Sequence, residues 1–494
     1  MTDPSITPPP PPSRPAKPTI GRIVGVAAGV GLLAASIGVV SQGVPQSVLA
    51  GLPGEPPAIQ PVSASATLPD QQVVCPGPFL SFVAQETTPR GFSDPTLTLL
   101  GSDITEVSLE QDDVLQEFAG TEGQLAPAPV YLKQSAEAGY LGAASLSRIN
   151  SIFAWGLAAA QCHAPVSEGW LVAGSTSTGR QGVISLANPG SVPATVDLTV
   201  YGQSGLITAP AGKGILLQPG ERRLLSLSGL APGEPSPVIR MQAAGTPVTL
   251  TLHAGLTRGL EPDGADLVGI QAAPSTERVL AGLWLESEEA RQRVSALDGY
   301  DDIGPVLRLL APDADATVIA RVIRPVTGDI VSEVALEAGR VFDVRLEELG
   351  QGHAAVVLES DQPVVAGIRH SSIGDPRTDL AWFPSAPVLE SLGSVVVPGG
   401  VDATLQVVSR ADQPGTLRFA RVAADGQQVL GSGEITVPAQ GLSVRGLGGG
   451  GGAYLFETDV PVSIAVVLRE EGEIANLVAV PPPGQREPIE VFAR

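Results

Sequence analysis

The chain has 494 residues, of which 43% are hydrophobic, and it carries a net charge of −22. Its 58 glycines and 46 prolines favour turn-rich all-β domains over helical bundles, and the length allows roughly three to five domains. A field this acidic repels phosphate backbones, so we expect no nucleic-acid partner.

The N-terminal segment has the features of a membrane anchor. Residues 1–20 are proline-rich and predict a disordered tail. The uncharged run Ile23–Val40 is just long enough to cross a bilayer, which predicts a transmembrane helix over 21–42. Because basic residues precede this run, we expect the tail in the cytoplasm and the bulk of the chain outside the cell membrane. A cleaved signal peptide is the alternative interpretation.

Small residues recur along one side of the predicted span. Gly21, Gly25 and Gly29 form a GxxxGxxxG row, a spacing that lets another helix approach closely. The alternative is that glycine is simply frequent in membrane helices. Residues 43–70 are rich in proline, serine and alanine, and they predict a flexible linker.

The two cysteines, Cys75 and Cys162, both follow the predicted span. In an oxidising compartment an isolated pair indicates a disulfide bond. A metal site is disfavoured, because His163 beside Cys162 does not complete a tetrahedral set of ligands.

A repeat of about 100 residues runs through the rest of the chain. Four landmarks recur in the same order: an alternating strand led by threonine, a glycine turn before a strand, a Pro-Val pair, and Asp-Leu or Asn-Leu followed by proline. Their positions are Ala194–Gly205, Ala316–Gly328 and Gly415–Gly426; Gly220, Gly339 and Gly441; Pro247-Val248, Pro363-Val364 and Pro461-Val462; and Asp266-Leu267, Asp379-Leu380 and Asn476-Leu477.

The repeat divides the exported part into four β modules. The predicted borders are 71–178 for a diverged, disulfide-linked module and 179–290, 291–393 and 394–494 for three regular ones. Alternating strands with Gly/Pro turns indicate an all-β fold of tandem immunoglobulin-like β-sandwiches after a single N-terminal transmembrane helix. Ile489–Phe492 could add a final edge strand or belong to a loose tail.

Catalytic signatures are weak in this sequence. The four histidines are accompanied by no GxSxG elbow. His370, with Asp375 and Asp379 nearby, could form a base and its orienting group, but the sequence implies no nucleophile. We therefore predict that the protein is not an enzyme and has no catalytic residues.

Acidic loops are the only candidate cation sites. Glu261–Asp266, Asp298–Asp302 and the pair Asp313 and Asp315 could offer oxygen ligands to calcium. None matches an EF-hand loop, and solvated acidic turns are the stronger interpretation. We therefore predict no cofactor and no metal site.

Tryptophan occurs at a recurrent place in the repeat. Trp155, Trp170, Trp284 and Trp382 all lie in or beside the closing landmark of a module. This placement predicts packing in cores or between modules, with ligand stacking as the alternative.

The layout resembles a family of uncharacterised actinobacterial envelope proteins defined only as a domain of unknown function. The residues that carry the likeness are the single span, Cys75-Pro76-Gly77-Pro78, Gly156-Leu157-Ala158 to Cys162, Trp170-Leu171-Val172, Leu186–Gly190 and Gly255-Leu256 to Asp266-Leu267-Val268. Members of that family are often encoded near cell-envelope glycosyltransferases, which implies a role in envelope polymer assembly. No catalytic residues carry over.

Three functional hypotheses follow. The first is a membrane-anchored scaffold or binding protein outside the cytoplasm, which contacts an envelope polymer or a membrane-bound envelope enzyme. The second is a carbohydrate-binding or carbohydrate-active protein with a cleft at a junction between modules. The third is a passive spacer.

Overall fold

The computed structural model describes residues 70–82, 88–111, 115–116, 128–325, 330–346, 349–375 and 377–481, together with 62–64 and 489–491. No helix in this described part is long and apolar enough to cross a membrane. Strands dominate it throughout, so the all-β prediction is confirmed.

The first strand, β1 (Val62–Ala64), precedes the modules. The first module (70–163) contains β2 (Gln71–Cys75), β3 (Leu80–Ser81), β4 (Arg90–Gly91), β5 (Thr96–Leu100), β6 (Thr105–Ser108), β7 (Glu110–Gln111), β8 (Leu115–Gln116), β9 (Val130–Gln134), β10 (Gly142–Asn150) and β11 (Trp155–Gln161), with a 3-10 helix at Ala136–Ala138. The second (166–271) contains β12 (Glu168–Leu171), β13 (Arg180–Ala187), β14 (Ala194–Gly202), β15 (Gly205–Ile207), a 3-10 helix at Pro210–Gly212, β16 (Ile215–Leu217), β17 (Glu221–Ser226), α1 (Leu227–Leu230), β18 (Val238–Ala244), β19 (Thr249–Arg258) and β20 (Glu261–Gly269).

The third module (275–384) contains β21 (Ser275–Leu285), α2 (Glu288–Ser295), β22 (Val306–Leu310), β23 (Ala316–Ile323), β24 (Ile330–Leu336), β25 (Val341–Arg345), β26 (Gly352–Ile373) and β27 (Thr378–Pro384). The fourth (389–480) contains β28 (Leu392–Val397), β29 (Asp402–Ser409), β30 (Gly415–Val422), β31 (Val429–Val437), β32 (Leu442–Gly448), β33 (Gly452–Thr458), β34 (Val462–Glu470) and β35 (Glu473–Val478). The last strand is β36 (Ile489–Val491).

The outermost strands form a unit of their own. β1 and β36 run antiparallel, with Val62 opposite Val491. β1 falls within the predicted linker 43–70. The predicted tail, the predicted span and Gly21, Gly25 and Gly29 lie outside the described residues.

The three regular modules share one strand order. In the fourth module, β28 to β35 occupy positions 1 to 8, with one sheet ordered 4-3-6-1 and the other 5-2-7-8. The third has the same order, because the two halves of the long β26 serve as positions 6 and 7. The second repeats it with position 4 divided between β15 and β16. Positions 1 and 2 thus lie in opposite sheets, whereas strands A and B of an immunoglobulin constant domain share one sheet.

The first module keeps a reduced version of this order. Its sheets run β2-β9-β6 and β11-β10-β5, which correspond to 1-6-3 and 8-7-2. The segment after β6 that would supply positions 4 and 5 lies partly outside the described residues. The added strands β3, β4 and β8 form a small sheet of their own.

Each regular module packs its two sheets face to face on an aliphatic core. In the third module, buried residues of β21 and β23 meet those of β22 and β27 in one cluster. The alternating burial of β14 shows the cause, because Val196, Leu198 and Val200 are buried while Thr195 and Asp197 are exposed. Burying each such aliphatic side chain stabilises the fold by roughly 1.5–3 kcal/mol.

The four modules close into a ring. The position-8 strands are neighbours in a cycle: β11 contacts β20, β20 contacts β27, β27 contacts β35, and β35 contacts β11. The residues from Thr67 to Arg486 accordingly form one compact unit. The sequence suggested a row of modules; the structure replaces this with a closed arrangement in which the fourth module packs on the first.

The four interfaces of the ring share one geometry. Strands 1 and 6 of one module pack their outer face on strands of the 5-2-7-8 sheet of the next module. Between the second and third modules, Trp170, Val172 and Val238 meet Leu310 and Val365. The corresponding clusters between the other modules contain Val74 and Ala187, Val279 and Ala465, and Val396 and Ala144.

A polar side chain ties each interface to the main chain of strand 1 or of the loop after it. Arg222 donates to the Pro76 carbonyl at 3.2 Å, and Arg308 donates to the Gly174 carbonyl at 2.7 Å. Gln406 accepts from the Gly282 N–H and donates to the Leu283 carbonyl. Gln161 bonds both the N–H and the carbonyl of Val396, which closes the ring between the first and fourth modules.

Asp379 lies where all four modules meet. Its fully buried carboxylate accepts backbone N–H groups from Leu157, Ala265, Leu380 and Ile474 at 2.8–3.2 Å, one from each position-8 strand. Burial raises the pKa of Asp379 well above its ordinary value, and the four N–H donors oppose this rise.

Two glycines permit this approach of the backbone. A Cβ at Gly156 would lie 2.5 Å from Asp379 Oδ1 and 2.8 Å from the Ala265 nitrogen, and a Cβ at Gly264 would lie 2.9 Å from that of Leu380. Both glycines also have positive φ angles, 136° and 149°, which side chains rarely adopt. At the corresponding place the first module has Leu157, and Asp266 of the second accepts only the N–H groups of Leu267 and Trp382 among the described residues.

The borders of the modules differ from the predicted ones. β12 pairs with β18, and β21 pairs with β26, so the second and third modules begin before residues 179 and 291. The closing Asp-Leu landmark marks strand 8, and strand 1 of the next module follows it within about ten residues.

We predict that Asp379→Asn destabilises the whole ring. The amide keeps one acceptor oxygen but turns an NH₂ group towards backbone N–H donors, which leaves buried donors unpaired at a cost of roughly 3 kcal/mol or more. Urea unfolding should show this loss as a lower midpoint. Asp425→Asn, at an exposed turn in the fourth module, is the control and should unfold like the parent protein. Equal midpoints for Asp379→Asn and the parent would contradict the role assigned to Asp379.

Candidate functional site

A cleft of about 540 Å³ opens between the second and third modules. The second module contributes the loop from Gly174 to Arg180 and the end of β19, and the third contributes the loop around Asp302 and residues of β22, β25 and β26. Its volume lies within the range of about 300–1,000 Å³ typical of ligand sites.

Arg308 and Asp343 form one wall of the cleft. Arg308 Nε lies 2.9 Å from Asp343 Oδ1, and its Nη2 lies 3.1 Å from Asp343 Oδ2, a bidentate pair. The guanidinium also lies 4.8 Å from the centre of the Trp382 ring. Burial acts to raise the pKa of Asp343, but the charge and hydrogen bonds of Arg308 outweigh it and lower that pKa. This pair therefore stays ionised and fixes the junction.

Three arginines converge on Asp302 at the opposite side. Arg180 forms an ion pair with Oδ2, Arg258 Nη1 lies 2.7 Å from Oδ1, and Arg369 Nη1 lies 3.5 Å from Oδ2. Arg258 is held further by Asp263 beneath it, and its guanidinium lies 4.3 Å from the centre of the Tyr300 ring. Three arginines thus meet two carboxylates here, Asp302, which all three share, and Asp263, which pairs with Arg258.

The positive charge of each arginine lowers the pKa of its neighbours. Burial, followed by the charges of Arg369 and Arg258, lowers the pKa of Arg180 to about 9. Burial and the charges of Arg308 and Arg258 act in the same direction on Arg369, whose pKa is lowered to about 10 although Asp343 opposes the shift. Both remain protonated at neutral pH. The four arginines and three aspartates that line the cleft carry a charge of +1 (4 − 3) at its surface, and Asp263 behind Arg258 is a further carboxylate, in a chain whose net charge is −22.

Hydroxyl groups and small residues line the entrance. Ser175, Ser177, Thr178 and Thr257 contribute hydroxyls, and Gly179 approaches so closely that a Cβ there would lie 2.4 Å from the Thr257 carbonyl oxygen. The site therefore combines a cationic interior with a neutral polar rim.

The predicted disulfide is present. Cys75 and Cys162 are bonded, with their Cα atoms 4.4 Å apart, and they join strand 1 to the end of strand 8 in the first module. Cys162 also donates its backbone N–H to the Ala143 carbonyl.

The histidines are placed apart from the cleft. His253 accepts the Leu80 N–H at the junction of the first two modules, and His370 Nε2 lies 2.7 Å from the Trp284 carbonyl oxygen. Burial lowers the pKa of His163 and His370 to about 4 and that of His253 well below its ordinary value. The Asp379 carboxylate accepts hydrogen bonds from backbone N–H groups, so the structure does not pair it with His370 as a base and its orienting group.

Several acids of the suspected calcium loops have protein partners instead. Asp263 accepts the N–H and hydroxyl of Thr378, Asp266 accepts the Trp382 N–H at 2.7 Å, and Asp315 accepts the Ala338 N–H. Within the described ranges, no group of three or more His, Cys, Asp or Glu side chains could hold a metal ion.

The tryptophans contact neighbouring modules. Trp382 of the third module packs into the core of the second, and Trp170 belongs to the cluster that joins the same two modules. Arg469 of the fourth module lies over the ring of Trp284, and Arg377 of the third lies over that of Trp155.

Sequence reasoning missed the arginines of the cleft. Arg180, Arg258, Arg308 and Arg369 lie in four different strands and form no local motif. The sequence did hold one signal, because cations are scarce in this acidic chain. An arginine inside an alternating strand needs a partner if it is buried, so these positions indicate buried ion pairs.

Comparison with known proteins assigns no activity to this arrangement. A model described as "Family of unknown function (DUF5719)" matches residues 120–445, and no curated protein matches. Solved structures give weak likenesses. A tetra-tandem repeat in the extending region of a large adhesion protein is 10% identical, with a TM-score of 0.10, and the match covers 72% of this chain and 84% of that one. The chicken CNTN1 FN1-FN3 domains are 9% identical, with a TM-score of 0.08 and coverages of 64% and 98%.

We predict a pH-dependent contribution from Asp266, whose pKa burial raises to about 7 although two backbone N–H groups oppose the rise. Because the unfolded carboxyl titrates near 3.9, the native state holds the extra proton between about pH 4 and pH 7. Stability from this group is therefore full below pH 4 and is lost as the pH rises, by about 4 kcal/mol in all.

The test compares the parent protein with Asp266→Asn, which shares every other titrating group. The unfolding free energy of the parent minus that of the variant should fall between pH 4.5 and pH 7.5. Parallel pH profiles would show that Asp266 does not titrate in this range.

Proposed function

Because the chain belongs to DUF5719, a family of unknown function, we propose its function from the cleft: it is a non-catalytic binding protein of the cell envelope that holds a saccharide polymer between its second and third modules. The observation that carries the proposal is the combination of a cationic interior and a hydroxyl-lined rim in a cleft of ligand size. We expect the modules to bind a ligand as immunoglobulin-like domains do, although they are joined in a ring.

The proposal includes a location and an attachment. We infer that the protein comes from an actinobacterium, that its segment 21–42 spans the cell membrane, and that its modules lie outside the cytoplasm. The disulfide between Cys75 and Cys162 supports an oxidising compartment. A membrane-bound envelope enzyme that makes or moves the polymer is the partner this arrangement suggests.

The absence of catalysis is part of the same proposal. Two of the three carboxylates that line the cleft, Asp302 and Asp343, are engaged by arginines, which favours positioning over proton transfer. The passive spacer is the less favoured alternative, because a closed ring spans less distance than four modules in a row, and a spacer needs no charged cleft.

The direct test blocks the cleft. Thr178→Trp places a bulky ring at the exposed rim, and Ser432→Trp makes the same change on an exposed strand of the fourth module. We expect the full-length protein to bind one or more polysaccharides of an envelope glycan array, Thr178→Trp to lose that binding, and Ser432→Trp to keep it. Thermal unfolding should confirm that both variants are folded.

Two results would contradict the proposal. Equal binding by both variants would place the polysaccharide elsewhere on the protein. Time-dependent release of reducing ends from the bound polysaccharide, abolished by Asp302→Asn, would make the protein a glycosidase instead.

A further inference from the structure

We propose that the cleft recognises an oxyanion, so that the saccharide it holds is an acidic one carrying carboxylate or phosphate groups. This inference rests on the proposed function and adds the chemical class of the ligand. It is carried by hydrogen-bond donors of the cleft that find no acceptor among the residues that the structure describes.

Two guanidinium nitrogens in the cleft are unpaired. Arg258 Nη2 and Arg369 Nε are buried, and neither has a hydrogen-bond partner in the part of the chain that the structure describes. The Arg258 side chain is only 6% exposed, so water compensates little of this loss. A buried unpaired donor on a charged group is unfavourable, and a bound acceptor would relieve that cost.

The surrounding contacts hold these arginines in place: Asp263 and Asp302 pair with Arg258, and Asp302 pairs with Arg369. Arg258 also donates to the Gly299 carbonyl, and Arg369 donates to the Asp302 carbonyl at 3.0 Å. Asp302 brings Arg180, Arg258 and Arg369 together, and with Asp263 it supplies two carboxylates to these three cations. Because the unpaired nitrogens are covered, a small rotation of each guanidinium is needed to turn them to a ligand.

The chemistry of the site selects the sign and geometry of the ligand. A planar guanidinium offers parallel N–H groups that fit carboxylate and phosphate oxygens. A metal ion or a basic peptide would be repelled by the four arginines that line the cleft. A nucleic acid carries the right group but meets the field of a chain with a charge of −22 around this one cationic site.

The rim explains why the oxyanion belongs to a saccharide. Ser175, Ser177 and Thr178 stand at the mouth of the cleft with neutral hydroxyls, which suit a chain of hydroxyl groups. Asp302 Oδ1 is ion-paired with Arg258 Nη1 at 2.7 Å but makes no well-aligned hydrogen bond among the described residues, so it can also accept from a sugar hydroxyl beside the anion.

The experiment uses the full-length protein and three defined probes in isothermal titration calorimetry. They are an oligogalacturonate, the same oligosaccharide after reduction of its carboxyl groups, and a glycerol-phosphate oligomer. We expect one or both anionic probes to bind and the reduced probe to bind at least about tenfold more weakly. Which anionic probe binds more tightly identifies the carboxylate or the phosphate as the recognised group.

Variants assign the binding to the arginines. Arg369→Gln and Arg180→Gln should each weaken binding of the anionic probe about tenfold or more and make it less sensitive to salt. Arg418→Gln removes an exposed arginine from an ion pair of the fourth module and is the matched control, with no expected change. Because either cleft variant could be destabilised, thermal unfolding of each is measured alongside.

The outcomes separate this inference from the proposed function. Equal affinity for the reduced and unreduced oligosaccharides overturns the oxyanion and leaves saccharide binding in place. Tight anionic binding that survives both cleft variants while they remain folded also overturns it. If none of the three probes binds but the folded protein still binds glycans on the array, the oxyanion inference is overturned and the proposed saccharide binding stands. Failure on the array as well overturns both.

Discussion

The architecture depends on one buried carboxylate. Asp379 accepts N–H groups from the position-8 strands of all four modules, including its own. Each of these strands also pairs with its neighbour in a hairpin. The centre of the ring is buried, so a backbone N–H left unpaired there would find no water as an alternative partner. The carboxylate satisfies four such groups at once, and Gly156 leaves the space it occupies. This contact joins the four modules at the centre of the ring, and the interface clusters and polar ties around it complete the closure.

The ring explains why a cleft exists between the second and third modules. Each interface is sealed by an aliphatic cluster and one polar tie, and at this junction Arg308 reaches across to the Gly174 carbonyl. Beside that tie, the loop at Asp302 and the end of β19 line the cleft, and Arg258 joins them with its Nη1 2.7 Å from Asp302 Oδ1. Contacts that fix the two modules against each other shape the cleft before a ligand arrives, which reduces the ordering cost of binding.

The sequence predicted the local parts of this structure well. Alternation in β14, the glycine turns and the Pro-Val pairs identify strands because each depends on neighbours in the chain. The disulfide was predictable because only two cysteines exist. Ring closure was not, since Gln161 and Val396 meet across more than two hundred residues. The role of Asp379 was hidden for the same reason: its partners are backbone groups, which leave no trace in the identity of Leu157 or Ile474.

Ring closure is tested most directly by a crosslink between the first and last modules. Arg148 of the first module forms ion pairs with Glu470 and Glu473 of the fourth. Arg148→Lys in dilute full-length protein, treated with a carbodiimide, should yield an isopeptide bond to one of these glutamates in the monomer band, identified by mass spectrometry. The background is low because the chain has only three lysines. A monomer in which the introduced amine reacts with acids of the first module alone would show that the modules form an open row.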